Sequence, residues 1–192
     1  MDEQNNILAI MKSHNLVPVV TFNDGDDPFD FVDYLQSKGV NCIEITLRTN
    51  AGFKAIKLLK AKRPDVLVGA GTVIAAGQIQ KLKDIGADFL VSPGLTAELL
   101  QSLKSSGIPF LPGVATPSEI MAAKEKGLTA LKFFPANLFG GIKSLKAYGQ
   151  VFPDIKFCPT GGITSESSRD YLFLDNVFAI GGSWFQNKFK ES

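Results

Sequence analysis

The sequence predicts an α/β chain folded as one (β/α)8 TIM barrel over residues 1–192, with an extra N-terminal helix and a shortened last helix. Three observations point there. Short apolar runs recur eight times, amphipathic helical patterns fall between them, and glycines stand where helices must give way to strands. The runs are Val17–Phe22, Cys42–Arg48, Leu67–Val73, Phe89–Gly94, Pro109–Thr116, Ala130–Ala136, Lys156–Ile163 and Val177–Trp184. Most are nearly continuous in apolar residues, as parallel strands covered by helices are.

In chain order, the first expected element is a helix over roughly Asn5–Ser13 that plugs the barrel bottom. Phe29–Lys38 then places Phe31, Val32 and Leu35 on one helical face, and Phe53–Lys62 sets Ile56 and Leu59 opposite a basic face with Lys54 and Lys57. Thr96–Ser105 begins with Thr96 as N-cap and Glu98 in its first turn. Ser118–Lys126 follows Pro117, which suits a first helical position. Gly39, Gly86, Gly107 and Gly127 each close a helix just before the next strand, the position where a left-handed residue ends a helix. Only Phe185–Ser192 follows the eighth run, enough for about two helical turns, which leaves part of the barrel wall for another subunit to cover. An open doubly wound sheet is the alternative architecture.

Composition removes several function classes. The chain has 192 residues, 45% hydrophobic and 20% charged, with a formal net charge of +1, so charge favours neither nucleic acid nor another polyanion as partner. No apolar stretch approaches the ~18 residues needed to cross a bilayer, and the opening MDEQNNILAIMK lacks the basic-then-apolar order of a signal peptide. A cytoplasmic protein is expected. Cys42 and Cys158 sit in apolar segments and read as core fillers rather than a disulfide. One histidine, His14, and two separated cysteines leave no metal site and no histidine catalysis to expect.

Lys132 lies inside the run Ala130–Ala136. Burying an ammonium is costly, so this lysine either reaches water at the strand end or gives up its proton. A neutral, sheltered amine attacks carbonyl carbon, which raises Schiff-base chemistry. On the second strand, alternation puts Cys42, Glu44, Thr46 and Arg48 on one face and Ile43, Ile45 and Leu47 on the other. In a barrel the apolar set faces the helices, so Glu44 and Arg48 point inward, as an internal ion pair or as parts of a site. With Lys132 they would supply a nucleophile, a proton shuttle and an anchor for a carboxylate. The pairs Gly161-Gly162 and Gly181-Gly182, the latter followed by Ser183, end the last two strands, where barrels frequently bind phosphate. Plain turns are the simpler use of such pairs. Gly69-Ala70-Gly71-Thr72 and Ser92-Pro93-Gly94 put small residues at two more strand ends.

Taken together, VPVV at 17–20, EITLRT at 44–49, VGAGTV at 68–73, SPGLT at 92–96, KFFPA at 132–136, FCPTGGI at 157–163 and IGGSW at 180–184 resemble the 2-keto-3-deoxy-6-phosphogluconate (KDPG) and 4-hydroxy-2-oxoglutarate aldolase family. The motifs span nearly the whole chain in the family's order. The resemblance implies a metal-independent class I aldolase without a cofactor, normally a homotrimer, acting on a small-molecule substrate to give pyruvate and a phosphorylated aldehyde. It implies Lys132 as the Schiff-base lysine and Glu44 as general acid/base. It also implies Arg48 and Thr72 at the pyruvate carboxylate, Pro93 in the same pyruvate pocket, Phe134 and Thr160 as the pyruvyl wall, and Gly161, Gly162, Gly182 and Ser183 at the phosphate end. The chain departs from the family pattern at Asn137-Leu138-Phe139, where a more polar stretch is expected, and at its short C-terminus. Alternatives are the aldolase for the galactonate-derived epimer, a phosphate-binding barrel with isomerase or synthase activity, and a sugar-phosphate-binding barrel without catalysis.

Overall fold

A computed structural model describes residues 3–191. Nine helices and nine strands follow one another along these residues, alternating except where two strands are consecutive. They are α1 (Glu3–Ser13), β1 (Leu16–Val20), α2 (Pro28–Ser37), β2 (Cys42–Thr46), α3 (Ala51–Lys62), β3 (Leu67–Gly71), α4 (Ala76–Asp84), β4 (Phe89–Val91) and α5 (Ala97–Ser106). There follow β5 (Phe110–Leu111), β6 (Gly113–Val114), α6 (Pro117–Glu125), β7 (Ala130–Phe133), α7 (Gly141–Val151), β8 (Lys156–Pro159), α8 (Ser168–Leu172), β9 (Ile180–Gly182) and α9 (Trp184–Lys190).

Every pairing is parallel, and the strands form two hydrogen-bonded sheets in the orders β5-β4-β3-β2-β1-β9 and β6-β7-β8. The expected fifth strand is therefore two short ones. Pro112 separates them: it has no N–H for a ladder, while its carbonyl accepts from Lys132 N at 2.8 Å. At the other seam the isolated bridges Phe157–Val177 and Thr160–Gly181 link the last two predicted strands. The regular part of the eighth is only Ile180–Gly182, and Trp184 opens α9 instead of ending a strand. The seventh expected strand stops at Pro159, short of Ile163.

Two apolar clusters show how the curled sheet is filled. The larger holds Ile43, Ile45, Val68, Leu90 and Phe133 from the outward strand faces, with Phe31, Val32, Leu35, Ile56 and Leu59 from the helices. The smaller holds Val17, Cys42, Phe89, Val91, Leu111, Ala130 and Cys158 from the inward faces, with Ile7 and Met11 of α1. The opening helix thus plugs one end of the interior, as its apolar residues predict. The thiols of Cys42 and Cys158 are free and buried. Burial pushes Cys158 up to about 12 and raises Cys42 as well, so both are inert core groups.

Caps mark the helices that periodicity finds. Asp27 accepts from Phe29 N at 2.8 Å ahead of Pro28, and Thr96 accepts from Leu99 N at 3.2 Å. Thr116 and Glu119 form a reciprocal box on either side of Pro117. Gly39, Gly86, Gly107 and Gly127 all have positive φ, between 71° and 80°. For α4 the sequence marks only the end, at Gly86, and it does not mark α7 or α8. Gln78 caps α4 by reaching back to Ile74 N and Ala75 N at 2.8 and 3.0 Å, while Gly140 caps α7 without a side chain. The five residues of α8 are too few to show a period. Among the described residues no helix is long and apolar enough to cross a membrane.

Candidate active site

Lys132 projects from β7 into the interior, and Glu44 meets it from β2. Their side chains come together across the two sheets: Nζ lies 3.0 Å from Oε1 and 3.4 Å from Oε2. Lys132 is 5% and Glu44 4% exposed, so each charge is matched almost wholly by the other. Alternation on β2 is as expected. Cys42 joins the inner cluster, Ile43 and Ile45 the outer one, and Leu47 packs against the outer one. Glu44 is in register with Gly69 and Val19, and a Cβ on Gly71 would overlap its carboxylate. That glycine makes the space into which the acid folds.

Lys132 pairs with Gly113 on one side and Cys158 on the other. A Cβ on Gly113 would strike the carbonyl of Pro93, so this glycine lets the turn after β4 close in beside the lysine. Thr72, the residue after β3, has φ of 59°. A β-branched residue in the left-handed region costs about 1–3 kcal/mol, and such strain concentrates where a side chain must be held in place. The Lys132 Nζ stands 5.5 Å from the centre of the Phe134 ring.

Beside the pair opens a cavity of about 120 Å³. Arg48, Phe134, Thr160, Gly161, Gly162, Gly182 and Ser183 all line it. Lys132, Glu44, Thr72 and Pro93 do not line it; Phe134, whose ring centre is 5.5 Å from Lys132 Nζ, stands between the pair and the cavity, and Thr72 and Pro93 follow β3 and β4. Gly161 and Gly162 have φ of 104° and 70°, a conformation that L side chains rarely adopt, and a Cβ on Gly162 would overlap the Asn137 amide. Glycine is therefore required here by the backbone conformation and by the close approach of Asn137. Among the described residues Arg48 has no ion-pair partner, so its guanidinium is available to an anion. Thr160 Oγ1 is buried without a hydrogen-bond partner. A second hollow, about 220 Å³ between α5 and α6, is lined by Leu95, Leu100 and Glu119 among others, and contains none of the predicted site residues.

Sequence reasoning passed over Thr21 and Gln186, which also line the cavity. Thr21 Oγ1 is 2.7 Å from Thr46 Oγ1, one strand over. The signal for Thr21 was present: extending the alternation of Val17 and Val19 by two residues carries it inward. Nothing local distinguishes Gln186 from a surface glutamine on a short helix.

A family model described as "Aldolase: KDPG and KHG aldolase" matches residues 7–191. The 2-dehydro-3-deoxy-phosphogluconate aldolase of Haemophilus influenzae is 41% identical over 182 residues, 95% of this chain and 86% of that protein. The KHG/KDPG aldolase of Escherichia coli K12 is 40% identical over 176 residues, covering 92% and 83% respectively. Among solved structures, the KDPG aldolase from Legionella pneumophila, with pyruvate captured at low pH as a covalent carbinolamine intermediate, matches with a TM-score of 0.91 at 43% identity. That match covers 96% of this chain and 91% of the other.

Proposed function

The chain belongs to the KDPG and KHG aldolase family, and from that premise we propose that it is a class I, Schiff-base aldolase. Its substrate is 2-keto-3-deoxy-6-phosphogluconate, cleaved to pyruvate and glyceraldehyde 3-phosphate, and it also cleaves 4-hydroxy-2-oxoglutarate to pyruvate and glyoxylate. The observation that carries this reading is the buried Lys132–Glu44 contact of 3.0 Å beside a cavity lined by Arg48 and paired glycines.

The amine must be neutral to attack. Along the 3.0 Å contact a proton can pass from Nζ to Oε1, giving a neutral amine and a neutral acid with no change in the pair's net charge. Nζ then adds to C2 of the keto acid, and loss of water, with Glu44 protonating the departing hydroxyl, leaves a protonated imine. Glu44, directly or through water, takes the proton of the C4 hydroxyl. The C3–C4 bond breaks, its electron pair moves into the iminium, and the aldehyde leaves. The remaining enamine takes a proton at C3, and water releases pyruvate and restores the amine. Arg48 and Thr72 hold the pyruvyl carboxylate, Pro93 borders the same pocket, and Phe134 and Thr160 pack the pyruvyl group. Gly161, Gly162, Gly182 and Ser183 receive the phosphate. Supporting this division, Arg48 has no ion-pair partner among the described residues, and the glycines and Ser183 line the same cavity.

We read the two sheets as one closed (β/α)8 barrel in a single domain, because the seams at Pro112 and at Thr160–Gly181 are each narrow. The family reading also assigns a homotrimer and a cytoplasmic location. Incubation with pyruvate and sodium borohydride tests the core of the proposal. Peptide mass mapping is expected to find one reduced adduct, on Lys132, with turnover lost in proportion. An unlabelled protein, or an adduct on another lysine, would overturn it.

A further inference from the structure

We propose that Gln186 is a positioning residue for the phosphate end of the site, its carboxamide standing in for a sheet peptide that the chain does not supply. Resting on the aldolase reading above, this adds a residue from outside the family motifs.

The parallel ladder between β1 and β9 runs through Leu16–Ile180, Val17–Gly181 and Pro18–Gly182. It can go no further, because Ser183 turns the chain into α9. Thr21, still on the line of β1, is left without a backbone neighbour on that side. Gln186 fills the gap from the first turn of α9. The Thr21 N–H donates to Oε1 at 3.1 Å, and Nε2 donates to the Thr21 carbonyl at 2.7 Å. A carboxamide has the donor and acceptor of a peptide group, and this pairing is satisfied in only one orientation of the amide.

Apart from that pairing and the exposed bond that Lys188 Nζ donates to Ser165 Oγ at 3.3 Å, α9 is held by apolar packing. Phe189 lies 5.2 Å from the Phe31 ring and 5.4 Å from that of Tyr34, and Phe185 is buried. Apolar packing is non-directional, so it holds the helix close without setting its register. The two amide contacts set it. The turn carrying Arg48 is fastened to the same stretch independently of Gln186, through the 2.7 Å contact of the Thr21 and Thr46 hydroxyls and the 2.5 Å bond from Thr49 Oγ1 to the Phe22 carbonyl. Gln186 therefore sets where the Gly182–Ser183 turn stands against the end of β1. Lys132 and Glu44 take no part in it.

Gln186→Met removes both polar groups and keeps side-chain length. The KM for 2-keto-3-deoxy-6-phosphogluconate is expected to rise about tenfold, and competitive inhibition by inorganic phosphate to weaken comparably, with kcat changed by less than about twofold. Cleavage of 4-hydroxy-2-oxoglutarate and borohydride labelling with pyruvate should stay near those of the unaltered protein, because neither uses the phosphate end. Gln186→Asn, with the amide one methylene short, should give the same split and serves if the Met variant does not fold. An unchanged KM for the phosphorylated substrate, or an equal loss on both substrates, would overturn the proposal. Failure of the unaltered protein to label with pyruvate would count instead against the aldolase reading.

Discussion

Glu44 and Lys132 are buried together, so removing either leaves the other's charge unmatched. Glu44→Gln is the informative change, because glutamine keeps the shape against Gly71 and can still meet the amine, but it cannot shuttle a proton. Turnover is expected to fall about 10²–10⁴-fold, the usual worth of general acid–base assistance, while circular dichroism still reports the folded chain. A variant turning over at the unaltered rate would move the acid–base role to another group. Glu44 and Arg48 were legible as inward residues because alternation along a strand is local. What alternation does not carry is distance. That Arg48 lines the cavity while Glu44 folds back under Gly71 depends on which strands stand alongside β2. Thr72 shows the same limit, since its left-handed backbone is visible only once β3 is set against its neighbours.

At the scale of elements, α6 stands on the reciprocal box of Thr116 and Glu119. Burial acts to raise the Glu119 carboxyl, but the N–H groups of Ala115 and Thr116 and the Thr116 hydroxyl outweigh it and hold the carboxyl below the usual range. A carboxylate so lowered stabilises the fold above its unfolded pKa, about 4.3 for glutamate, and the contribution is lost as pH falls through the folded value. Glu119→Gln should therefore melt lower than the unaltered protein at pH 7, with the gap closing as pH falls below about 4 in a series of thermal melts. Thr116→Ala is expected to cost about 1 kcal/mol by the same assay at neutral pH. A gap independent of pH would show that ionised Glu119 does not support the helix. Of the helices predicted from sequence, α2, α5 and α6 have a cap residue or proline at the start and a glycine at the end, while α1 and α3 rest on their apolar residues. For α4 and α7 the start signal is a glutamine in the first turn or a bare glycine, neither of which stands out from a loop.

For the whole molecule, sedimentation equilibrium is expected to give three times the chain mass, and a monomer at assay concentration would remove the trimer from the proposal. Exposed Ile74, Met121, Leu138 and Phe173 are apolar surface that a subunit contact can bury. Leu138 lies in the stretch where the sequence departs from the family pattern. By itself the sequence determined the alternation of parallel strands and helices, the plug helix, the left-handed glycines, the inward face of β2 and the presence of a lysine in a buried strand. All of these follow from periodicity and backbone sterics within a few residues. Only the tertiary structure decided that Lys132 meets Glu44 across 88 residues of chain, that Gln186 completes β1 across 165, and that Pro112 divides a strand. Those contacts exist because the curling of the sheet brings remote strand ends to one point, and no local pattern encodes where remote ends meet.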